Sequence, residues 1–370
     1  MSSPRLLLIA KALPPVLGGI ESYSAEVADA YACAGYRVSV LTPGRLDEIN
    51  PGSRVDKERG EECTRSQWLS AVRILKDLWC LRSKRWDFIH ATSWRMAVPA
   101  LLMRFRCRLV ITVHGREVTG QHAFMRQLAL WALSRAELLV YVSAATRAEV
   151  EEAMPGLAAS RSVVAWNGAS TGVDLAVQQK CDDGVVRVLS VSRLVKRKNI
   201  PFAVSAVAEL YRRLQGKVVF TVTGTGPELS KIEAAVEREQ LPVDVVRLVG
   251  RVDEARLSTL YREADIFFHP QCSRHDRGDI EGFGISIIDA MAYGVPVVCG
   301  RDGGPSEYVE SGVNGYLVKG DDLGEAVSLL EGLALNPALR SKIANEARNL
   351  VTREMTWVGH VRKIVESISP

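Results

Sequence analysis

A glutamate that leads into a glycine turn, Glu281-Gly-Phe-Gly284, is followed by the helix-like run Ile285-Ser-Ile-Ile-Asp-Ala-Met291, so a carboxylate and a set of free amides share one stretch of chain. Gly282 and Gly284, with Phe283 between them, let the backbone approach a ligand closely and take dihedrals that other residues avoid. The amides of Ile285 and Ser286 open the helix with no partner one turn back, and the helix dipole makes them an anion site. Asp289 lies eight residues after Glu281 and about one turn inside the helix, so two carboxylates flank whatever anion sits at its start. The pattern predicts a ligand with hydroxyls around a phosphate. A glycine turn ahead of an ordinary core helix is the other reading of the same residues.

A second cluster, Ser192-Arg193-Leu-Val-Lys196-Arg197-Lys198-Asn199, follows the strand-like Val186–Val191 and precedes the helix-like Phe202–Arg213. Arg193 offers a planar fork for phosphate oxygens and Lys198 a mobile point charge, a pairing suited to a diphosphate leaving group. Lys196 and Arg197 read as solvated neighbours, and a basic surface loop accounts for the whole cluster equally well. Gly18-Gly19-Ile-Glu21, after the Pro14-Pro15 break, is a third phosphate-approach signature. His114-Gly115 follows the strand-like Arg108–Val113, which places an imidazole at a strand tip, where a lone His is also commonly structural. Gly224-Thr-Gly226-Pro227, Gly250-Arg251-Val252 and Gly303-Gly304-Pro-Ser-Glu307 each follow a strand candidate.

In this order the motifs resemble those of the retaining glycosyltransferases of the GT-B fold, family four, with Asp289 where that family's E-x7-E element usually ends in Glu. The resemblance covers essentially the whole chain. It implies that Glu281 contacts the sugar of a nucleotide-diphosphate donor, that Asp289 holds the ribose hydroxyls, and that Arg193 and Lys198 clamp the diphosphate. It further implies that His114 contacts the transferring sugar and that Gly18 and Gly19 approach the donor phosphate from the opposite domain. Gly224 lies near the nucleotide and Arg251 and Val252 near the base; Gly282, Phe283, Gly284, Ile285 and Ser286 complete the donor site. Retention of anomeric configuration, with the departing phosphate accepting the acceptor's proton, is carried over on the same ground.

Those residues must be positioned by elements that the sequence also indicates. Short Val/Ile/Leu runs alternate with amphipathic stretches of helical length, the pattern of α/β folds with helix-covered parallel sheets. Strand candidates are Leu6–Ala10, Arg37–Thr42, Asp87–Ala91, Arg108–Val113, Leu138–Ser143 and Ser162–Trp166, then Val186–Val191, Val218–Thr223, Val245–Val249, Asp265–His269 and Val295–Cys299. A helix-like Ser22–Ala34 follows the first glycine pair. The polar stretch between Gly168 and Gly184 is the best linker. The expected architecture is two Rossmann-like parallel-sheet domains facing across a cleft. Residues 1–174 form an acceptor-binding domain and 175–350 a donor-binding domain, while the helix of 351–370 crosses back to the first domain. Ligands in such sheets bind beyond the carboxyl ends of the strands. The polar Gln271–Gly278 would form a loop over the donor.

The 370 residues carry a net charge of +4 and are 47% hydrophobic, an ordinary globular composition. No apolar run approaches the roughly 18 residues of a spanning helix. Seven cysteines without a C-x-x-C pair read as reduced and cytosolic. No D-x-D metal motif, G-x-G-x-x-G after the first strand or Walker loop is present, so hydride transfer and nucleotide hydrolysis are disfavoured and no metal or cofactor is expected beyond the donor as co-substrate. Between Arg65 and Arg108, ten basic residues meet only Asp77 and Asp87, and four of the seven tryptophans sit there. The stretch Trp68–Trp79 suits an anionic membrane surface, and equally a helix packed into the N-terminal core with a solvated basic face. Nothing in it resembles a nucleic-acid motif. The combined expectation is a cytoplasmic, peripheral enzyme that builds a surface polysaccharide, lipopolysaccharide or glycolipid on a glycan or lipid-linked acceptor. A non-catalytic sugar-nucleotide-binding subunit, or an epimerase or hydrolase of the same fold, is the alternative.

Overall fold

The computed structural model describes residues 3–13, 19–42, 55–56, 75–119, 121–157, 160–170, 183–273 and 279–368. The chain divides into two compact units, Met1–Gly168 with Thr356–Pro370, and Ala169–Met355.

The first unit contains β1 (Arg5–Ile9), β2 (Arg37–Leu41), β3 (Val55–Asp56), β4 (Phe88–Ala91), β5 (Arg108–Val113), β6 (Leu138–Tyr141) and β7 (Ser162–Val164), in the parallel order β3-β2-β1-β4-β5-β6-β7. Strands buried on both faces explain the unbroken apolar runs. Alternate side chains of β1 feed separate layers: Leu7 and Ile9 join one hydrophobic cluster, Leu6 and Leu8 the other. Each such fully buried aliphatic contributes about 1.5–3 kcal/mol. Helix Trp357–Ile368 packs Trp357, Val361, Ile364 and Ile368 into the second cluster beside Tyr23 and Val27 of helix Gly19–Cys33. That spacing is the apolar stripe of a helix lying on a surface.

The second unit holds β8 (Val186–Val191), β9 (Val218–Thr223), β10 (Val246–Gly250), β11 (Ile266–His269), β12 (Val297–Gly300) and β13 (Tyr316–Val318), parallel in the order β10-β9-β8-β11-β12-β13. Its apolar cluster joins β8, β9 and β11 to helices Ile200–Arg213 and Leu323–Leu335 through Val188, Val204, Phe220, Phe268 and Leu330. β3 and β13, with two and three residues, were absent from the sequence expectation because neither is long enough to show a period. Helix Gly19–Cys33 starts three residues before the expected Ser22, so Gly19 is its first residue rather than part of a preceding loop. Among the described residues no helix is long and apolar enough to cross a membrane.

Candidate functional site

In the second unit the strand order reverses between β8 and β11, with β9 and β10 on one side and β12 and β13 on the other. Loops leaving the carboxyl ends of β8 and β11 therefore diverge and leave room for a ligand. Lys198 arrives from β8 through the single 3-10 turn Lys196–Lys198, and His269 is the last residue of β11. Their side chains meet there. Lys198 Nζ donates to Glu281 Oε2 in a short contact and lies 3.1 Å from His269 Nε2. An ammonium has no lone pair, so His269 Nε2 accepts and the imidazole is neutral with its proton on Nδ1.

All three side chains are buried, at 6% exposure for Lys198 and Glu281 and 0% for His269. Burial alone would raise the Glu281 carboxyl, but the Lys198 and Arg197 charges outweigh it and hold the group at about 2. Burial draws Lys198 down to about 8 even though Glu281 opposes the shift. Burial and the Lys198 charge keep His269 well below the ordinary imidazole range. Arg197 departs from its expected solvated place: it is 9% exposed, its Nε is 3.5 Å from Glu281 Oε2 and its Nη1 is 3.8 Å from Asp279 Oδ1. The tight 3-10 turn is the reason, because three residues per turn point Lys196 outward and bring Arg197 and Lys198 inside.

Behind Glu281 the backbone is fixed by close packing. The Gly304 amide donates to the Glu281 carbonyl at 2.9 Å and Tyr308 Oη donates to the Phe283 carbonyl at 2.7 Å. Gly303 has φ of +80°, and a Cβ there would lie 2.3 Å from the Glu281 carbonyl oxygen. The Gly303-Gly304 pair thus shapes the glutamate's own turn. Helix Ile285–Ala292 starts from Gly284 in a left-handed conformation, and among the described residues no acceptor meets the amides of Ile285 and Ser286. Asp289 is oriented by Ser170, its Oδ1 accepting from the Ser170 amide at 2.8 Å and its Oδ2 from Ser170 Oγ at 3.0 Å, and a carboxylate oxygen can accept more than one such bond.

Arg193 is exposed on the same loop as Lys198. Gly224 sits on the far side of that loop, where a Cβ would fall 1.8 Å from the Ser192 carbonyl oxygen at a φ of +131°. Gly224 therefore admits the β8 loop, which is held by the Leu194 amide donating to Thr225 O at 2.9 Å. Gly250 accepts from the Gly224 amide at 2.7 Å, with Arg251 exposed and Val252 half-buried just beyond. Gly18, Pro14-Pro15 and residues 274–278 of the expected donor loop lie outside the described residues, as do residues 65–74 of the basic segment and 171–182 of the linker.

In the first unit His114 follows β5, half-buried, and its Nε2–H donates to the Thr92 carbonyl at 3.0 Å. Burial lowers it to about 4, so it is a neutral imidazole at physiological pH. The His114 amide donates to Glu117 Oε1 at 2.6 Å, and burial pushes that carboxyl up to about 7 against its backbone donors. The His114 ring lies edge-on to Tyr23 with centroids 4.8 Å apart. Tyr23 belongs to a hydrogen-bond chain whose directions are all determined. His360 Nδ1–H donates to Trp166 O at 3.0 Å, so its Nε2 accepts from Tyr23 Oη at 2.9 Å. Tyr23 then accepts from Thr112 Oγ1 at 2.8 Å, Thr112 from His90 Nε2–H at 2.7 Å, and His90 Nδ1 from Tyr31 Oη at 3.1 Å.

Of these groups the sequence reading missed His269, Glu117, Ser170 and the Tyr23–His360 chain. Glu117 alone had a local signal, an acid three residues after a strand tip where a short helix begins. Burial lowers His90 to about 3 and His360 to about 4. A histidine with a depressed folded pKa contributes stability that is complete above its unfolded value of about 6.5 and is lost as pH falls toward the folded value. Glu117, raised in the folded state, works in the opposite sense. Ring resonances of His90 and His360 followed by NMR are expected to stay neutral to below about pH 5. Midpoints near the ordinary imidazole value would contradict the buried chain.

Among the described residues no cluster of three or more His, Cys, Asp or Glu could hold a metal ion. Residues 17–173 match the family described as Glycosyltransferase Family 4, and residues 176–350 the one described as Glycosyl transferases group 1. A glycogen synthase of Mycobacterium tuberculosis is 26% identical over 390 residues, covering 95% of this chain and 91% of its own. A GDP-mannose-dependent alpha-(1-6)-phosphatidylinositol monomannoside mannosyltransferase of the same organism is 26% identical over 391 residues, 95% of each chain. Among solved structures, Anabaena Alr3699/HepE in complex with UDP and glucose superposes with a TM-score of 0.74 at 18% identity, over 99% of both chains. That likeness is one of fold.

Proposed function

The chain belongs to the group 1, family 4 glycosyltransferases and has their GT-B fold, and from that premise we propose that it moves a hexosyl group from a nucleotide-diphosphate sugar to a glycan or lipid-linked acceptor, with retention and without a metal. One observation carries the reading. The buried Lys198–Glu281 pair stands at the switch point of the second sheet, and Glu281 opens the turn into the unpartnered amides of Ile285 and Ser286. As the glycosidic bond breaks, charge grows on the leaving phosphate, and donors already aimed at it lower the barrier. Lys198, Arg193 and the two amides supply those donors, while Glu281 orients the sugar and favours positive character in its ring. Retention follows from attack on the face the phosphate leaves, with that phosphate taking the acceptor's proton. Asp289 reaches the ribose hydroxyls in this scheme.

The donor is supported by the named partners of similar proteins, UDP in the Anabaena structure and GDP-mannose in the mycobacterial transferase. A lipid-linked acceptor in glycolipid or lipopolysaccharide assembly is supported by that transferase's phosphatidylinositol mannoside and by Trp79, which is 66% exposed with Arg82 5.9 Å from its ring centroid. A tryptophan and an arginine so placed suit peripheral contact with an anionic inner membrane face. Thermal unfolding with a panel of UDP-, GDP-, ADP- and TDP-sugars is expected to show stabilisation by the sugars of one base, lost in Arg193→Ala. A shift that survives the substitution would count against the diphosphate clamp, and an equal response to every base would count against a donor site selective for one base.

A further inference from the structure

Lys198 has two duties in the proposed reaction, and this inference rests on that reaction. Its ammonium holds Glu281 in the donor-free protein, and it is also the inner cation for the diphosphate. When it turns to the diphosphate, a carboxylate only 6% exposed loses its nearest partner. A buried charge without a counter-ion is disfavoured strongly enough to protonate or displace the group.

Arg197 stands beside it. Its guanidinium is buried, its Nε is 3.5 Å from the same Glu281 Oε2 and its Nη1 is 3.8 Å from Asp279 Oδ1. Neither Nε nor Nη1 has a hydrogen-bond partner, so the side chain sits at ion-pair range with unused donors. Its backbone is anchored, because the Cys272 amide donates to the Arg197 carbonyl at 2.8 Å. A delocalised, weakly hydrated guanidinium is suited to remain buried against carboxylates while an ammonium exchanges partners.

We propose that Arg197 is the standing counter-ion of Glu281, a positioning residue that keeps this carboxylate charged and aimed at the donor sugar while Lys198 moves to the diphosphate. The other groups around Glu281 cannot replace it. His269 is neutral and already accepts from Lys198, and Cys299 and Tyr308 are driven further toward their neutral forms by burial and by Glu281 itself. Asp279 bears the same charge as Glu281 and braces Arg197 from the other side.

The test uses the full chain as wild type, Arg197→Gln and Arg197→Lys, each checked by thermal unfolding. With the donor found active, Arg197→Gln is expected to lower kcat about tenfold or more, leave nucleoside diphosphate affinity within about threefold, and move the acid limb of kcat/KM up by about one unit or more. Arg197→Lys should recover most of each change. A kcat within about twofold of wild type with an unmoved acid limb would overturn the proposal, as would a tenfold loss of nucleoside diphosphate affinity at unchanged kcat. Carbon-13 NMR titration of the Glu281 carboxyl without donor separates this idea from the reaction itself. A midpoint that rises in Arg197→Gln in a protein that transfers no sugar supports the counter-ion and rejects the reaction. An unmoved midpoint in an active enzyme rejects the counter-ion alone.

Discussion

Lys198→Ala is expected to lower glycosyl transfer about a hundred- to a thousandfold, the usual effect of removing one preorganised donor from a developing oxyanion. The loss should be larger in kcat than in KM, because charge on the diphosphate is greatest as the bond breaks. The wild-type enzyme should show the same dependence through pH. Burial has drawn Lys198 down to about 8, and once it deprotonates it no longer offers a positive charge to phosphate. Diphosphate affinity and turnover should therefore fall together as pH rises through about 8, and the Lys198→Ala enzyme should lack that limb. Steady-state rates with the identified donor between pH 6 and 9.5 check both points. A variant within tenfold of wild type would remove Lys198 from the chemistry.

Gly303→Ala should damage stability and site together. The residue has φ of +80° and ψ of −157°, a region that only glycine occupies without strain. The added Cβ would also press on the Glu281 carbonyl oxygen at 2.3 Å. Backbone strain and the forced shift together are expected to cost about 3 kcal/mol, and relief of the clash must move the turn that carries Glu281. Denaturant unfolding should show the loss, and whatever protein remains folded should bind donor poorly. Gly312 provides a control: it is also at positive φ but has nothing within 4 Å of its added Cβ, so Gly312→Ala tests a positive-φ substitution without the clash.

What could be read from the sequence was local. The Glu281 turn, the amides of Ile285 and Ser286 and the strand before Arg193 are set by residues a few positions apart, and the structure forms each of them. Most strands were visible for the same reason, since their apolar runs are continuous. Arg197 was misplaced because three successive cations look alike in sequence, and only the geometry of the 3-10 turn distinguishes the exposed Lys196 from its buried neighbours. Ser170 was not foreseeable as Asp289's partner, being 119 residues away in a stretch whose composition suggested only a linker. The Tyr23–His360 contact spans 337 residues and has no local signature at all. The departure from Glu to Asp at 289 was visible, but its pairing with Ser170 required the fold.

The central claim is that the second unit binds a nucleoside diphosphate through the cations of the β8 loop. Isothermal titration of the full chain with UDP, GDP, ADP and TDP at pH 7.5, repeated with Arg193→Ala and Lys198→Ala, tests it most directly. The account predicts one preferred base, with affinity lowered about tenfold or more in each variant. Binding of the preferred nucleotide with the same affinity in wild type and both variants would contradict it.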